Sequence, residues 1–231
     1  MEGRTSHRTR VLRVNVLALA LYAVFAATAF GWRTWVQWRR TGDTGLRMSA
    51  TPGSRQWRAK LGFIAALIAG LAAPIAGLAG IETNAVLDHN GLRYTGAAIA
   101  LIGILLTGAA QWQMGESWRI GVDLTEHTTL VTNGVFGVVR NPIFTAMVVN
   151  AIGLTLLVAN NVAVVGLVAL IVALEIQVRL VEEPYLRTTH GGEYTNYAAR
   201  AGRFLPCIGR QVTPPQHPEP PVHRTDPHAS A

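Results

Sequence analysis

Between Arg140 and Glu175 the chain runs 34 residues without a formally charged side chain. As one helix the run would be roughly 50 Å long at 1.5 Å per residue, against a hydrocarbon thickness of about 30 Å. A single membrane crossing cannot accommodate it. Asn160–Asn161 stands at its middle, and asparagine favours turns by bonding nearby backbone and tolerating left-handed conformations. The run therefore predicts a hairpin of two helices of about 17 residues each. Arg140-Asn141-Pro142 leads into it and Glu182–Glu183 follows its exit. Both ionisable groups thus fall at one membrane face, where chemistry is to be expected.

The composition agrees with a membrane solvent. Half of the 231 residues are hydrophobic, only 14% are charged, and the mean hydropathy is positive, which excludes an ordinary soluble domain. Uncharged runs at Val14–Trp32, Leu61–Ile81 and Tyr94–Gly115 add three spans to the hairpin. The expected fold is all-α, an integral membrane bundle of about five transmembrane helices with a C-terminal cytoplasmic helical segment. The first run also has features of a signal peptide, with four preceding arginines and an Ala27-Thr28-Ala29 cleavage-like site. Its length and the following Trp32, Trp35 and Trp38, placed like an interfacial anchor, favour a retained span.

Basic residues set the orientation. The loop 33–60 holds seven bases and one acid, 82–93 one base and two acids, 116–140 two bases, and the region after Glu175 six. With the N-terminus outside, 15 bases are cytoplasmic and five external; the reverse inverts that ratio. Arg4, Arg8, Arg10 and Arg13 oppose this arrangement, but the balance favours N-out, C-in, in the plasma membrane, with the site facing the cytoplasm. The formal charge of +7 is then a topology signal and an attraction to anionic lipid. Nucleic acid is not expected as a partner, because no basic-aromatic stripe accompanies the charge.

Three regions follow. Residues 1–110 carry the N-terminal helices with the basic cytoplasmic loop 33–60. Residues 111–210 carry the hairpin and the motifs, and 211–231 form a tail with six prolines after Thr213, expected to be disordered. Its His217, His223 and His228 are too irregularly spaced for a metal site. Cys207 is the single cysteine, so neither an intramolecular disulfide nor a cysteine metal cluster is available. Gly62, Ala66, Gly70, Ala73 and Gly77 form one small-residue face suited to close helix approach, with a kink expected at Pro74. Gln111–Arg119 is either an interfacial tryptophan belt or a pocket wall. Trp35–Gly45 is either a surface amphipathic segment or a cover whose arginines hold an anionic group.

Three ordered stretches carry a resemblance. Leu130–Phe144, containing Gly134, Phe136, Arg140-Asn141-Pro142 and Phe144, resembles a G-P-Y-x-x-x-R-H-P-x-Y motif. Glu182-Glu183-Pro184-Tyr185-Leu186 and His190-Gly191-Gly192-Glu193-Tyr194-Thr195-Asn196-Tyr197 follow, then Arg203-Phe204-Leu205-Pro206. Together they resemble the isoprenylcysteine carboxyl methyltransferase and phospholipid methyltransferase family of integral membrane enzymes. Two positions depart: Asn141 replaces the usual His, removing any proton carrier there, and Phe144 replaces Tyr, keeping a ring without its hydroxyl.

The resemblance implies an S-adenosylmethionine-dependent methyltransferase acting on a lipophilic small-molecule or lipid acceptor, such as a prenylcysteine-like carboxylate. Its cofactor-binding residues would be Phe136, Arg140, Asn141, Pro142, Phe144, Glu182, Glu183, Leu186, Tyr194 and Tyr197. Arg140 and Glu183 would be catalytic, the arginine forking onto a carboxylate and the glutamate accepting from the cofactor. No metal is implied. Plainer readings stand beside these. Asn141 and Pro142 can simply start a helix, Glu175–Arg179 can be an intrahelical pair, Arg140 and Glu183 can form one structural ion pair, and Tyr194 and Tyr197 can be interfacial anchors. A sterol-reductase-like NADPH-dependent enzyme and a non-catalytic membrane binding protein are the rival functions.

Overall fold

The structure is a computed structural model describing residues 2–47, 50–119 and 129–211; the proline-rich tail lies outside the described residues. Helix α1, Glu2–Ala26, passes through a π-helical stretch, Ala27–Trp32, into α2, Arg33–Thr41. No glycine or proline interrupts Arg33–Thr41, and Arg33, Gln37, Arg39 and Arg40 are good helix formers. Those nine residues, expected to open a loop, therefore extend the first helix. It stops at Gly42, which takes φ 73° and donates its N–H to the Trp38 carbonyl, as a left-handed cap requires. The connection shrinks to 42–54. Ser54 accepts from the Trp57 N–H and starts α3, Arg55–Leu78, so Arg55, Arg58 and Lys60 are helical.

Helix α4 spans Asn90–Met114. The charge-free run then forms α5, Pro142–Val158, and α6, Asn161–Gln177, 17 residues each. Asn160 makes the turn: its Oδ1 accepts from the Ala163 N–H at 2.9 Å, and its Nδ2 donates to the Ala73 carbonyl at 2.9 Å. Beyond α6 a second π-helical stretch, Val178–Glu182, leads into α7, Glu183–Arg200. Among the described residues, four helices are long and apolar enough to cross a membrane, and α5 is a shorter apolar helix. The fold is an all-α bundle consistent with a multi-span membrane protein.

The two arms of the hairpin do not pack chiefly on each other. Helix α5 lies along α4, and α6 along α3. Glycines decide this, because helices in lipid associate through close van der Waals approach rather than hydrophobic drive. A Cβ on Gly103 would collide with the Asn150 backbone, one on Gly153 with that of Ala100, and one on Gly96 would lie 2.7 Å from the Gly153 carbonyl. The small face of α3 serves two partners. Gly70 abuts Tyr22 of α1 and Gly62 faces Ala173 of α6, while Ala66, Ala73 and Gly77 are buried. The helix runs through Pro74 unbroken.

Between the splayed arms, α1 and α3 complete an apolar cavity lined by Tyr22, Phe25, Gly70, Met147, Asn150 and Leu170, among others. At the hairpin-turn end, Arg93 holds Asp88 at 2.7 Å and the Leu157 carbonyl at 3.3 Å. Asn84 bonds Ala159 and Asn161 there. The turn end is thus clasped, and the motif-bearing residues gather at the other end.

Candidate functional site

Residues 201–211 return along the entrance of α5 as a strap. The Arg140 N–H donates to the Gly202 carbonyl at 2.7 Å and the Gly202 N–H to that of Val138 at 3.0 Å, a short parallel bridge. The Asn141 N–H and side-chain Nδ2 both donate to the Arg203 carbonyl, at 3.1 and 3.0 Å. Thr145 Oγ1 donates to the Phe204 carbonyl at 2.7 Å. Asn141 is therefore not a side-chain cap of α5, as the helix-start reading had it; its amide fastens the strap. A Cβ at Gly202 would collide with the Leu205 carbonyl, so the strap's tight return depends on glycine.

Arg140 is buried beneath this strap. Its Nη1 donates to the carbonyls of Ala198 (3.0 Å) and Ala201 (2.6 Å). Its Nη2 donates to Glu183 Oε1 (2.9 Å) and the Gly209 carbonyl (3.1 Å). Glu183 also accepts from Arg203 Nε at 2.7 Å and Nη2 at 3.1 Å, and from Gln211 Nε2 at 3.1 Å. The bond to Glu183 holds the Arg203 guanidinium charged, raising its pKa. The buried Arg140 and the partly buried Arg203 flank one buried carboxylate and form a connected polar network. With both terminal nitrogens used on the chain itself, Arg140 cannot make the expected fork onto an external carboxylate in this arrangement. Only its Nε–H, buried, lacks a hydrogen-bond partner among the described residues.

The other motif residues divide. Tyr194 and Tyr197 are buried edge to face, ring centroids 6.2 Å apart, with Leu186 against them. Tyr197 donates its hydroxyl to the Phe136 carbonyl at 2.7 Å. These tyrosines are therefore interior groups rather than interfacial anchors. Phe136 is buried and Pro142 opens α5 at its first turn. Phe144 packs into the membrane-embedded core beside Phe63 and Leu174, away from the tyrosine pair's own cluster. Glu182 is held by Gln177 Nε2 at 3.1 Å, while its neighbour Glu183 joins the arginines. The exposed Glu175 and Arg179 form the expected intrahelical pair.

A second polar cluster lies at the same end, where α2 meets α4. Arg33, Gln37, Gln111 and Trp118 are all buried. Arg33 Nη2 donates to Gln37 Oε1 at 3.3 Å and to the Gly115 carbonyl, and its guanidinium lies 5.4 Å from the Trp118 ring centre. Gln111 Nε2 donates to the Ala29 carbonyl at 2.8 Å. The Trp35–Gly45 and Gln111–Arg119 stretches each had two readings, and the structure distributes both. Trp32, Trp35, Trp38 and Trp112 are exposed as a belt would be, while Arg33, Gln111 and Trp118 form an interior wall. The two clusters connect through one short segment. Gln113 Oε1 accepts from the Val135 N–H at 2.9 Å, and the next residue, Phe136, accepts from Tyr197.

A family model described as phospholipid methyltransferase matches residues 92–193, from α4 into α7. Two curated Arabidopsis thaliana proteins, protein-S-isoprenylcysteine O-methyltransferases B and A, are 24% and 25% identical over 115 residues. That stretch is 49% of this chain and 58% of each relative, so the match spans little more than half of the relatives' length. A solved structure of the eukaryotic intramembrane Ras methyltransferase ICMT (isoprenylcysteine carboxyl methyltransferase) superposes with a TM-score of 0.61 at 16% identity. It covers 88% of this chain and 70% of that one, which establishes a shared fold. The homology to this group of membrane methyltransferases is carried by the matched part of the chain, residues 92–193 for the family model.

Proposed function

We propose that this chain is an integral membrane S-adenosylmethionine-dependent methyltransferase acting on a lipophilic acceptor. The observation that carries the reading is that separated motifs, Arg140-Asn141-Pro142, Glu182-Glu183 and Tyr194–Tyr197, meet in one network closed by the 201–211 strap. The residues present fit an adenosyl cofactor chemically. Arg140 Nε and His190 Nε2 are buried polar atoms without a partner among the described residues, Glu182 offers a carboxylate for hydroxyl or ammonium groups, and Phe136, Tyr194 and Tyr197 offer apolar ring surface. When bound, S-adenosylmethionine supplies an electrophilic methyl group.

The chain's own contribution is positioning. Arg140 and Glu183 fix α7 and the strap against the mouth of α5, and the buried tyrosines limit water there. An acceptor carboxylate is already ionised near pH 7, so orientation and charge stabilisation supply most of what methyl transfer to it needs. The apolar cavity between α1, α3, α5 and α6 suits the acceptor's hydrocarbon. The basic-residue balance supports a cytoplasmic site. In a Cys207→Ser background, cysteines at the exposed positions 44 and 90 would then label from opposite sides. Labelling of both from one side overturns that topology.

Calorimetry with S-adenosylhomocysteine on detergent-solubilised, folded protein tests the cofactor. A single site is expected, with radiolabelled methyl transfer to a lipophilic thioether carboxylate. No detectable binding by folded protein refutes the reading.

A further inference from the structure

The Arg33 cluster has a feature that its own packing does not account for. Arg33 is 4% exposed and Gln111 2%, yet Arg33 Nε and Gln111 Oε1 are buried without a hydrogen-bond partner among the described residues. A buried unsatisfied polar group costs about 1–3 kcal/mol, more when charged. The cost falls here on one cationic donor and one neutral acceptor between the same two segments. Their proximity follows from their contacts. Gln111 reaches the Ala29 carbonyl, about one turn before Arg33, and Arg33 reaches the Gly115 carbonyl, about one turn after Gln111. The two side chains thus bridge the same pair of chain segments, about one helical turn apart along them.

The backbone around them is specialised as well. The π-helical stretch Ala27–Trp32 immediately precedes Arg33, and such single-turn insertions recur at functional sites. Within that stretch the Ala29 carbonyl accepts from Gln111 Nε2. At Gly45, which takes φ 71°, an added Cβ would lie 3.1 Å from Trp118, so the loop closes directly on the ring that stacks on Arg33. The cluster also shares a wall with the motif site, through Gln113–Val135 and Phe136–Tyr197.

We propose that Arg33 and Gln111 are the headgroup-recognition residues for the acceptor, binding a group that presents an anionic oxygen beside an N–H donor. Arg33 Nε–H donates to the anionic oxygen and Gln111 Oε1 accepts from the N–H, so the ligand completes both orphaned groups. The Trp118 face and the tight Gly45 loop exclude a bulky polar alternative. Two sources carry this chemistry: an N-acylated amino acid with a free carboxylate, and a phosphoethanolamine headgroup. The assignment to the acceptor rests on the methyltransferase reading; the binding chemistry itself does not.

The test uses the full chain in detergent with five probes: N-acetyl-S-dodecylcysteine, its methyl ester, S-dodecylthiopropionate, phosphatidylethanolamine and S-adenosylhomocysteine. The wild type is expected to bind the free acid at least about tenfold more tightly than its ester, or to bind phosphatidylethanolamine. Arg33→Gln should abolish that preference, a loss of about 1.4 kcal/mol per tenfold change. Gln111→Leu should weaken the acid and phosphatidylethanolamine but not S-dodecylthiopropionate, which has a carboxylate and no amide N–H. S-adenosylhomocysteine affinity should be unchanged in both variants, which also reports that they are folded.

Selective loss of the acid identifies the amino-acid source, and selective loss of phosphatidylethanolamine the lipid source. An Arg33→Gln protein that binds S-adenosylhomocysteine and treats every headgroup probe as the wild type does overturns the proposal, and a water is then the only partner of the two atoms. Absence of S-adenosylhomocysteine binding by the wild type, with headgroup discrimination intact, instead refutes the methyltransferase reading and leaves the site standing.

Discussion

Two buried charged clusters sit at the same end of the bundle, each placed immediately after a π-helical stretch. Ala27–Trp32 precedes Arg33, and Val178–Glu182 precedes Glu183. The resemblance in backbone ends at the chemistry. Around Glu183 a carboxylate lies between two guanidinium groups, and both terminal nitrogens of Arg140 are engaged by protein acceptors, leaving only its Nε–H open among the described residues. Among the described residues the Arg33 cluster has no carboxylate bond. It pairs with an amide, a carbonyl and an aromatic face, and leaves one donor and one acceptor open. A charge neutralised and enclosed by its own chain holds structure together, whereas one left with open valences is suited to a ligand. The same helical device therefore serves a clamp in one region and a binding group in the other.

The comparison breaks first at Glu183. Glu183→Ala leaves the buried Arg140 and the partly buried Arg203 without their counter-charge, a change that costs about 3–5 kcal/mol when a buried pair is opened. A large fall in the detergent melting temperature is expected. A double cycle with Arg140→Gln and Glu183→Gln should show strong coupling in stability, because the groups bond directly. The equivalent cycle on Arg33 and Gln111, which make no hydrogen bond to each other in the structure, should show clearly weaker coupling in stability than Arg140 and Glu183. Equal coupling in both clusters would remove the distinction between clamp and binding site.

Next in size is Gly202→Ala. The new methyl would meet the Leu205 carbonyl, and overpacking of this kind costs about 1–3 kcal/mol. The expected signature is selective: protease sensitivity at 201–211 and loss of cofactor binding, with Arg33-dependent headgroup binding retained. Simultaneous loss of both functions would show that the two clusters are a single unit.

The contrast also explains what could be read from the residues alone. The hairpin was legible because an uncharged run longer than a bilayer has few solutions and Asn160 supplies the turn. Arg140, Glu183, Tyr194 and Tyr197 were legible as a group because ordered motifs mark them. Their bonding was not. Arg203 was quoted in the motif, but nothing in its neighbours says that it pairs with Glu183, and the carbonyls that occupy Arg140 belong to a strap visible only in three dimensions. Phe144 sits in the motif and packs in the membrane core. Residues 33–41 looked like loop because they are charged, although every one tolerates a helix. The glycines that join α5 to α4 have no partner until the arms splay. Arg33 and Gln111 are distant in sequence, and unsatisfied atoms leave no pattern in it.

A smaller effect sharpens the same comparison from the side of the Arg33 cluster. Arg33→Gln and Gln111→Leu should each change stability by about 1 kcal/mol or less, in either direction, since each removes an unsatisfied atom together with its bonds, two for Arg33 and one for Gln111. Measured polar contacts in membrane bundles average about 0.6 kcal/mol. Thermal shift in detergent checks this. Destabilisation as large as that of Glu183→Ala would mean that Arg33 is structural.

The smallest expected effect is at Asp43, in the loop that closes over Trp118. Its carboxylate accepts from Arg47 and, through Oδ1, from the Gly45 N–H at 2.9 Å. These bonds hold its pKa well below the usual carboxylate range, the Arg47 bond contributing most. The sign follows from linkage. A carboxyl whose pKa is lower in the folded state adds stability in full above its unfolded value of about 3.9, and loses it as pH falls through the folded value. The melting-temperature difference between wild type and Asp43→Asn should therefore be constant from pH 7 to about pH 5 and shrink progressively below about pH 4. The site is solvent-accessible and screened, so the difference should be small and diminish in high salt. Headgroup affinity should follow the same curve weakly, because the loop positions Gly45 against Trp118 without touching the ligand. A difference that grows on acidification would show that Asp43 is not held as its ionised form.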